Sequence, residues 1–514
     1  MANPEVSDDT LDAFRDALGD ANVVTDEALL ASQQANVTEY GPRPFVAVLR
    51  PENVEQVHAA VAAANRTGVP LHPISSGRNW GLGSRLAPAA GCALLDLGGL
   101  SRIREINRDF RYAVIEPGVT QRQLADALMA EAPDLMMHPT GSHEQTSIVG
   151  NCLERGVGYF GARLADVRGF EVVLGNGEQV RTGFWRFDTP ADGRSPAHAY
   201  PPGLGPDMSG LFCQSNFGIV TGLVFNLRPR LPFWVALMEF TERDLAPVID
   251  GLAELRTAGV ISEGYEIDNE HDPRVQDLGL SDGDDVTAPG RGDRSWVVWM
   301  RLPGSEKQID AAKHQILREI GGHCSRIEFI DPVAEDTEAR GAAFHSRCGV
   351  LAGEPGNFSL EAMAGASGID DVPPDFNPDH HPDVMGFVCA LPALPYRGDA
   401  VVEALGVVDE VSASHGVVAA LTLSGLSPLA LEGFFRTYFD RRNAMEITEA
   451  HAWNAELHRR LSAIGIHPYR VNVQEMPAYF DDNTSGNLNT LRALKKALDP
   501  NGIIAPGRYA PSEY

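Results

Sequence analysis

Pro73-Ile-Ser-Ser-Gly-Arg-Asn-Trp-Gly-Leu-Gly83 places Gly77, Gly81 and Gly83 within seven positions, among serines and Asn79. Such a loop turns sharply and lets bare backbone approach a ligand. Its successive N–H groups form a concavity for an anion, and Arg78 adds a fixed positive charge. A pyrophosphate is the natural guest, although a glycine-rich loop is as often only a tight turn. The flanking chain bears on the choice.

Upstream, Leu11, Phe14 and Leu18 stand at helical spacing, and Phe45-Val-Ala-Val-Leu-Arg is an apolar run of strand type closed by Pro51. Asn53 caps an expected helix carrying Val54, Val57, Val61 and Ala64 on one face, stopped by Gly68. Leu71-His-Pro-Ile then delivers the chain into the loop, and Ala93-Leu-Leu-Asp-Leu makes a third strand. Strand, helix, strand and loop form the layout of a nucleotide-binding α/β unit. No Gly-x-Gly-x-x-Gly opens a helix, so the Rossmann fingerprint is absent.

Downstream, Tyr112-Ala-Val-Ile is a strand and residues 121–130 a helix. A second polar loop follows from His138 to Tyr159, with Pro139, Gly141, Ser142, His143, Ser147, Ile148, Gly150, Asn151, Glu154 and Gly156. Its small and hydroxylated residues suit a second part of the same ligand. A hairpin turns at Gly175-Asn-Gly. Residues 184–208 read as a structured loop, and Pro229 and Pro232 mark a boundary. Beyond it, strands are expected at 233–240, 295–302 and 386–391, and helices at 244–257, 307–320 and 398–415. This suggests an antiparallel sheet with helices on one face. The segment 353–385, dense in Gly, Pro and Asp, reads as loop. Leu488, Leu491, Leu494 and Leu498 share a late helix face.

The 514 residues leave room for two or more domains. A formal charge of −28 argues against nucleic acid or an anionic membrane as partner. No apolar run has bilayer-spanning length, and the acidic start lacks the blocks of a signal peptide. The six cysteines are scattered without metal-ligand spacing, so no metal is expected and a cytoplasmic location fits.

Several blocks, in order, resemble the vanillyl-alcohol oxidase / p-cresol methylhydroxylase family of FAD-dependent oxidoreductases. They are Pro73-Ile-Ser-Ser-Gly-Arg-Asn-Trp-Gly, Ser147-Ile-Val-Gly-Asn-Cys-Leu-Glu-Arg-Gly-Val-Gly-Tyr and Glu171-Val-Val-Leu-Gly-Asn-Gly-Glu-x-x-Arg-Thr-Gly. Gly210-Leu-Phe-Cys-Gln-Ser-Asn-Phe-Gly-Ile-Val-Thr and Asp499-Pro-Asn-Gly-Ile-Ile-Ala-Pro-Gly-Arg complete the series, which spans most of residues 43–230 and 465–510. The resemblance implies a two-domain α+β fold: an FAD domain from residues 1–232 and 471–514, and an antiparallel-sheet cap from 233–470. It places FAD along Pro73, Ile74, Ser75, Ser76, Gly77, Arg78, Asn79, Trp80 and Gly81, the second polar loop, Gly218, Ile219, Val220 and Arg508. His143 is left between a base, a flavin attachment point and a loop hydrogen-bonder.

The family's Tyr-Arg pair, which binds the phenolate of a para-substituted phenol, falls on Tyr469 and Arg470. Loss of the phenolic proton lets the ring drive hydride from the para carbon to flavin. Three positions depart from the pattern. The family's second phenolate-binding tyrosine is Leu82 here. Its catalytic aspartate aligns with Ala162, with Arg163 and Asp166 nearby. Its covalent-flavin residue aligns with Phe387, close to His380, His381 and Cys389, which leaves covalent attachment open. Leu82, Ala162, Glu361 and Phe387 are the candidate substrate-facing positions. The implied activity is hydride abstraction from the benzylic or para-alkyl carbon of a phenolic or other aromatic small molecule, with oxygen or an electron-accepting protein as oxidant and homo-oligomerisation open. The alternatives are oxidation of a non-phenolic alcohol, sugar or lactone, and a catalytically degenerate flavin-binding subunit.

Overall fold

The computed structural model describes residues 7–187, 197–276, 294–369, 371–425, 427–480 and 486–510. Part of the expected loop at 184–208 therefore lies outside the described residues.

The helix Val54–Thr67 starts where the Asn53 side chain accepts the Gln56 N–H, and stops at left-handed Gly68. Val57, Ala60, Val61 and Ala64 bury one face, against strands Leu71–Ile74 and Ala93–Asp96. Those strands pair in parallel, and Ala93–Asp96 pairs in parallel with Val48–Leu49. Ile504 returns beside Leu71: the Leu71 N–H donates to Ile503 O at 2.7 Å and the Ala505 N–H to Leu71 O at 2.8 Å. Lys495 holds this return in place, donating to Ile504 O at 2.8 Å and pairing with buried Asp499. A second, antiparallel sheet runs Gln179–Arg181, Val167–Leu174, Gly218–Asn226, Tyr112–Ile115, Ile103–Asn107.

The third sheet is antiparallel and eight-stranded: Arg326–Ile330, Phe233–Thr241, Ser295–Pro303, Tyr265–Asn269, Ala420–Ser424, Ala430–Phe439, Gly386–Pro395, Pro468–Arg470. Its two faces separate by the two-residue period of a strand. Trp296, Val298 and Met300 point toward helices Leu245–Thr257, Glu306–Ile320, Gly398–His415 and Ala444–Ala463, forming one core with Trp453 and Leu405. Val297 and Trp299 point the other way, to Phe344 and Phe358. Four helices thus cover one face, as the patterning implied, but Ala342–Leu351 and Phe358–Ala366 pack on part of the other, so the expectation of helices on one face alone is corrected. The other face, around Ala430–Phe439, holds the cavity described below.

A second expectation is corrected. The segment 353–385 is not all loop, because Phe358–Ala366 is a helix burying Phe358, Leu360, Ala362, Met363 and Ala364. Glycines and prolines flank it, while its own Leu, Glu, Ala and Met are strong helix formers. All six cysteines are free. Among the described residues no helix is long and apolar enough to cross a membrane.

Candidate active site

The first glycine-rich loop leaves the end of Leu71–Ile74 and meets the second polar loop where the Ser147 N–H donates to Ser76 Oγ at 3.2 Å. Ser147 caps Ile148–Leu153 by accepting the Gly150 N–H at 3.0 Å. A Cβ at Gly150 would lie 3.2 Å from Ser75 Oγ, so the two loops pack at glycine distance. Gly81 has φ +79°, and a Cβ there would strike the Phe387 ring. The first loop is clamped from the far side. Arg78 donates to Phe376 O at 2.9 Å, Trp80 Nε1 to Asn377 Oδ1 at 3.1 Å, and Ser84 Oγ to Asp379 Oδ1 at 2.8 Å.

A groove runs between the loops. Residues 73–79, Ser147, Gly150, Asn151, Glu154, Gly218, Ile219, Val220 and Arg508 line it. Trp80, Gly141 and Ser142 face a second cavity instead. Gly81, Pro139, His143, Ile148 and Gly156 line neither. Ile148 is core, and Gly156 leaves room for Asn151, which a Cβ would strike. His143 is buried, its Nδ1 accepting the Gln145 N–H at 3.0 Å. Burial, then the Arg78 charge, pushes its pKa down to about 3.

Arg78, Asn79, Thr146, Asn151 and Arg470 line both groove and cavity, which marks where the two meet. There Arg470 donates to Asn79 Oδ1 at 2.5 Å, and its Nε lies 3.7 Å from Glu154 with no hydrogen-bond partner. Glu154 also pairs with Arg508 and accepts the Tyr509 hydroxyl at 3.0 Å. Burial opposes the charge of Glu154, but Arg508 and Arg470 hold its carboxyl below the usual range. Asn151 Oδ1 is buried without a partner. Hydroxyls, glycine backbone, Arg78 and Arg508 suit a pyrophosphate, and the unpaired Asn151 acceptor suits a ring N–H. The residues fit FAD.

The cavity wall is the cap sheet. Leu391 pairs with Arg470 across neighbouring strands, and Tyr469 packs with Leu82, Leu391 and Phe434. Burial, then Glu432, drives the Tyr469 hydroxyl well above the ordinary tyrosine range, with Arg470 pulling against them. Glu432 itself is pushed up to about 7 by burial, again opposed by Arg470, and its Oε2 has no partner. Cys389 Sγ donates to Gly81 O at 3.4 Å, and burial lifts this thiol to about 12. Toward the far end the wall is charged. Arg274 binds Asp268 at 2.8 Å and Asp272 at 2.7 Å. Arg436 pairs with Asp272, donates to Tyr438 Oη at 2.8 Å and lies over the Phe434 ring.

Of the substrate-facing candidates, Leu82, Phe387, Tyr469 and Arg470 line the cavity, and Ala162 and Glu361 do not. Ala162 lies in the short pairing of Val157–Gly158 with Gly161–Ala162, and Glu361 is exposed on its helix. Arg163 and Asp166 are buried away from the cavity, bonded to His138. His381 stacks on Phe376, and neither it nor His380 lines the cavity. The wall residues Glu432, Phe434, Arg436 and Tyr438 were not anticipated. Their alternate spacing between Leu431, Gly433 and Phe435 is the strand signal that would have found them.

Known proteins resemble the chain over its whole length. Residues 45–183 match the model of an FAD binding domain, and residues 470–509 that of the C-terminal domain of FAD linked oxidases. The 1'-carboxy-chondrochloren decarboxylase of Chondromyces crocatus is 31% identical over 99% of this chain and 98% of its own. The 4-cresol dehydrogenase [hydroxylating] flavoprotein subunit of Pseudomonas putida is 27% identical over 96% and 94%. The 4-ethylphenol oxidase from Gulosibacter chungangensis, solved as an isoeugenol complex, superposes with a TM-score of 0.86 at 25% identity, covering 99% of both chains. With the groove and the close loop packing at Gly150, these matches identify an FAD-dependent oxidoreductase, and the chain belongs to the vanillyl-alcohol oxidase / p-cresol methylhydroxylase family.

Proposed function

We propose that the chain oxidises phenols at the benzylic or para-alkyl carbon, with residues 1–232 and 471–514 holding FAD and 233–470 forming the substrate side. The carrying observation is Arg470, which lines the FAD groove and the cavity together, beside Tyr469. Bound FAD supplies the two-electron acceptor that takes the hydride. Arg470 and the Tyr469 hydroxyl hold the phenolate oxygen, which raises the electron density at the para position. Leu82, Leu391 and Phe434 pack around Tyr469, and these apolar walls exclude water and fix the ring. The relatives named as 4-cresol dehydrogenase and 4-ethylphenol oxidase support the substrate class. Oxygen or an electron-accepting protein would be the final oxidant. The test is anaerobic flavin reduction by a para-alkylphenol and by its methyl ether, which cannot form a phenolate. Equal rates would discard the phenol reading in favour of a non-phenolic alcohol.

A second reading is favoured by the relative named as a decarboxylase and by the charged far wall with Arg274 and Arg436. A substrate carrying a carboxylate one carbon beyond the oxidised centre would lose CO2 there, in place of a proton. That completion needs no base at the position of Ala162. Release of CO2 in step with flavin reduction tests it.

A further inference from the structure

We propose that Glu432 accepts the substrate's phenolic proton, doing the work that Leu82 cannot do in place of the family's second tyrosine. The proposal rests on the phenol reading above.

The placement comes from strand pairing. Glu432 lies opposite Ala393, and Phe435 opposite Ala390, which sets Phe434 beside Leu391 on the next strand. Leu391 in turn pairs with Arg470. Glu432, Tyr469 and Arg470 therefore share one stretch of wall, and all three line the cavity. Glu432 acts electrostatically on Tyr469, and Arg470 on Glu432. One carboxylate oxygen, Oε2, is buried with no hydrogen-bond partner. A buried, unpaired carboxylate is costly to keep, and a ligand O–H would satisfy it. Leu82 offers no polar group at all.

The proton balance is simple. The phenol O–H bond breaks, the proton joins Glu432 Oε2, and the electron pair stays on the phenolate facing Arg470 and the Tyr469 hydroxyl. Net charge in the cavity is unchanged, so no proton has to be expelled from a poorly solvated site. Other charged or titratable groups facing the same cavity are Arg436 and Tyr438 on the strand of Glu432, Cys389 on its neighbour, Glu266 and Arg274 toward the far end, and Arg78 on the first loop. Burial holds Glu432 near 7. Above that pH it is free to accept the proton, and below it the site is already filled.

The experiment uses the FAD-loaded protein and 4-tert-butylphenol, whose first side-chain carbon carries no hydrogen to abstract. Ultraviolet difference absorbance reads the bound phenolate as pH is raised. In the wild type the phenolate should appear with a midpoint near 7. In Glu432→Gln the midpoint should rise by about 2 units or more, toward the value near 10 of a free phenol. Reduction by 4-ethylphenol at pH 7 should fall at least about 100-fold, the usual contribution of a positioned base, and the gap should close near pH 10. Glu432→Asp should keep the low midpoint. If Glu432→Gln does not fold, Glu432→Met is titrated in its place. An unchanged midpoint in either variant overturns the proposal, while a wild type that no phenol reduces overturns the phenol reading itself.

Discussion

Replacing Arg470 by Met should cripple phenol oxidation at neutral pH while leaving FAD bound. A free phenol ionises near pH 10, so holding it as phenolate at pH 7 takes roughly 3 pKa units, or about 4 kcal/mol. A guanidinium about 4 Å from the phenolate supplies about 4 kcal/mol at an effective dielectric of about 20. The Tyr469 hydroxyl, one neutral hydrogen bond, supplies only about 1 kcal/mol. Glu154 already faces Arg470 at 3.7 Å and takes up part of that pull. The net share of Arg470 is therefore about 2 kcal/mol beside the proton uptake by Glu432, and its loss should lower the rate at pH 7 by about 30-fold, at about 1.4 kcal/mol per decade. The loss should shrink with rising pH as the phenol ionises unaided. Arg470 also pulls the Glu432 carboxyl down, so its removal moves that group above 7 and shifts the rising limb of the pH profile further upward. FAD should stay, because Arg508 still pairs with Glu154 and Arg78 still lines the groove. Anaerobic stopped-flow reduction across pH 6–10, with flavin content measured in parallel, reads both quantities. Full activity in Arg470→Met, or an unmoved pH profile, would refute the reasoning.

Gly81→Ala should abolish substrate binding or folding, since the new Cβ meets the Phe387 ring at a positive φ; thermal unfolding and flavin content separate the two. Asp379→Ala should destabilise the clamp on the first loop by about 2–3 kcal/mol, leaving the Val37 N–H and Ser84 hydroxyl without their acceptor. Asp379→Asn keeps that oxygen and should be milder. Burial pushes the Asp379 carboxyl up to about 6, so its stabilising contribution is complete below about pH 4 and is lost as pH rises through 6. Denaturation at several pH values should show that decline in the wild type and not in the Asn variant. Denaturing gel fluorescence should find the flavin non-covalent, because Phe387 offers no attachment atom, neither His380 nor His381 lines the cavity, and Cys389, which does, donates to Gly81 O with its thiol held protonated by burial.

The local parts of the fold were legible because their signals are local. Asn53 and Gly68 bound the helix at 54–67 in sequence and structure alike, and Leu71–Ile74 carries its apolar run straight into the glycines. The flanking Gly and Pro around Phe358–Ala366 concealed a nine-residue helix in which Leu, Glu, Met and three Ala are good helix formers. The groove could be anticipated because its hydroxyls and glycines lie in two contiguous loops. The cavity could be anticipated only in part: Leu82, Phe387, Tyr469 and Arg470 followed from the resemblance, and the wall formed by Ala430–Phe439 did not. Glu432, Leu391 and Arg470 come from three strands, and only sheet register sets them side by side. Alternation in 430–439 separates the two faces of that strand, but it does not say which of them meets a ligand. Electrostatics was equally hidden, since Glu432 differs from any exposed glutamate only by its burial and by Arg470.

The pairing of Ile504 with Leu71 has a consequence for biosynthesis. The first parallel strands are translated early, yet Ile504 and Ala505 form part of the same groove wall. At roughly 5–20 residues per second, about 20–90 s separate the two partners on the ribosome. Throughout that interval the edge of Leu71 lacks its neighbour, an open template of the kind that recruits foreign strands. Cofactor capture must therefore be a late event, after the intervening sheet has been made. Cells starved of flavin should accumulate a chain with a finished eight-stranded sheet and an unclosed groove, vulnerable to proteases at 500–510.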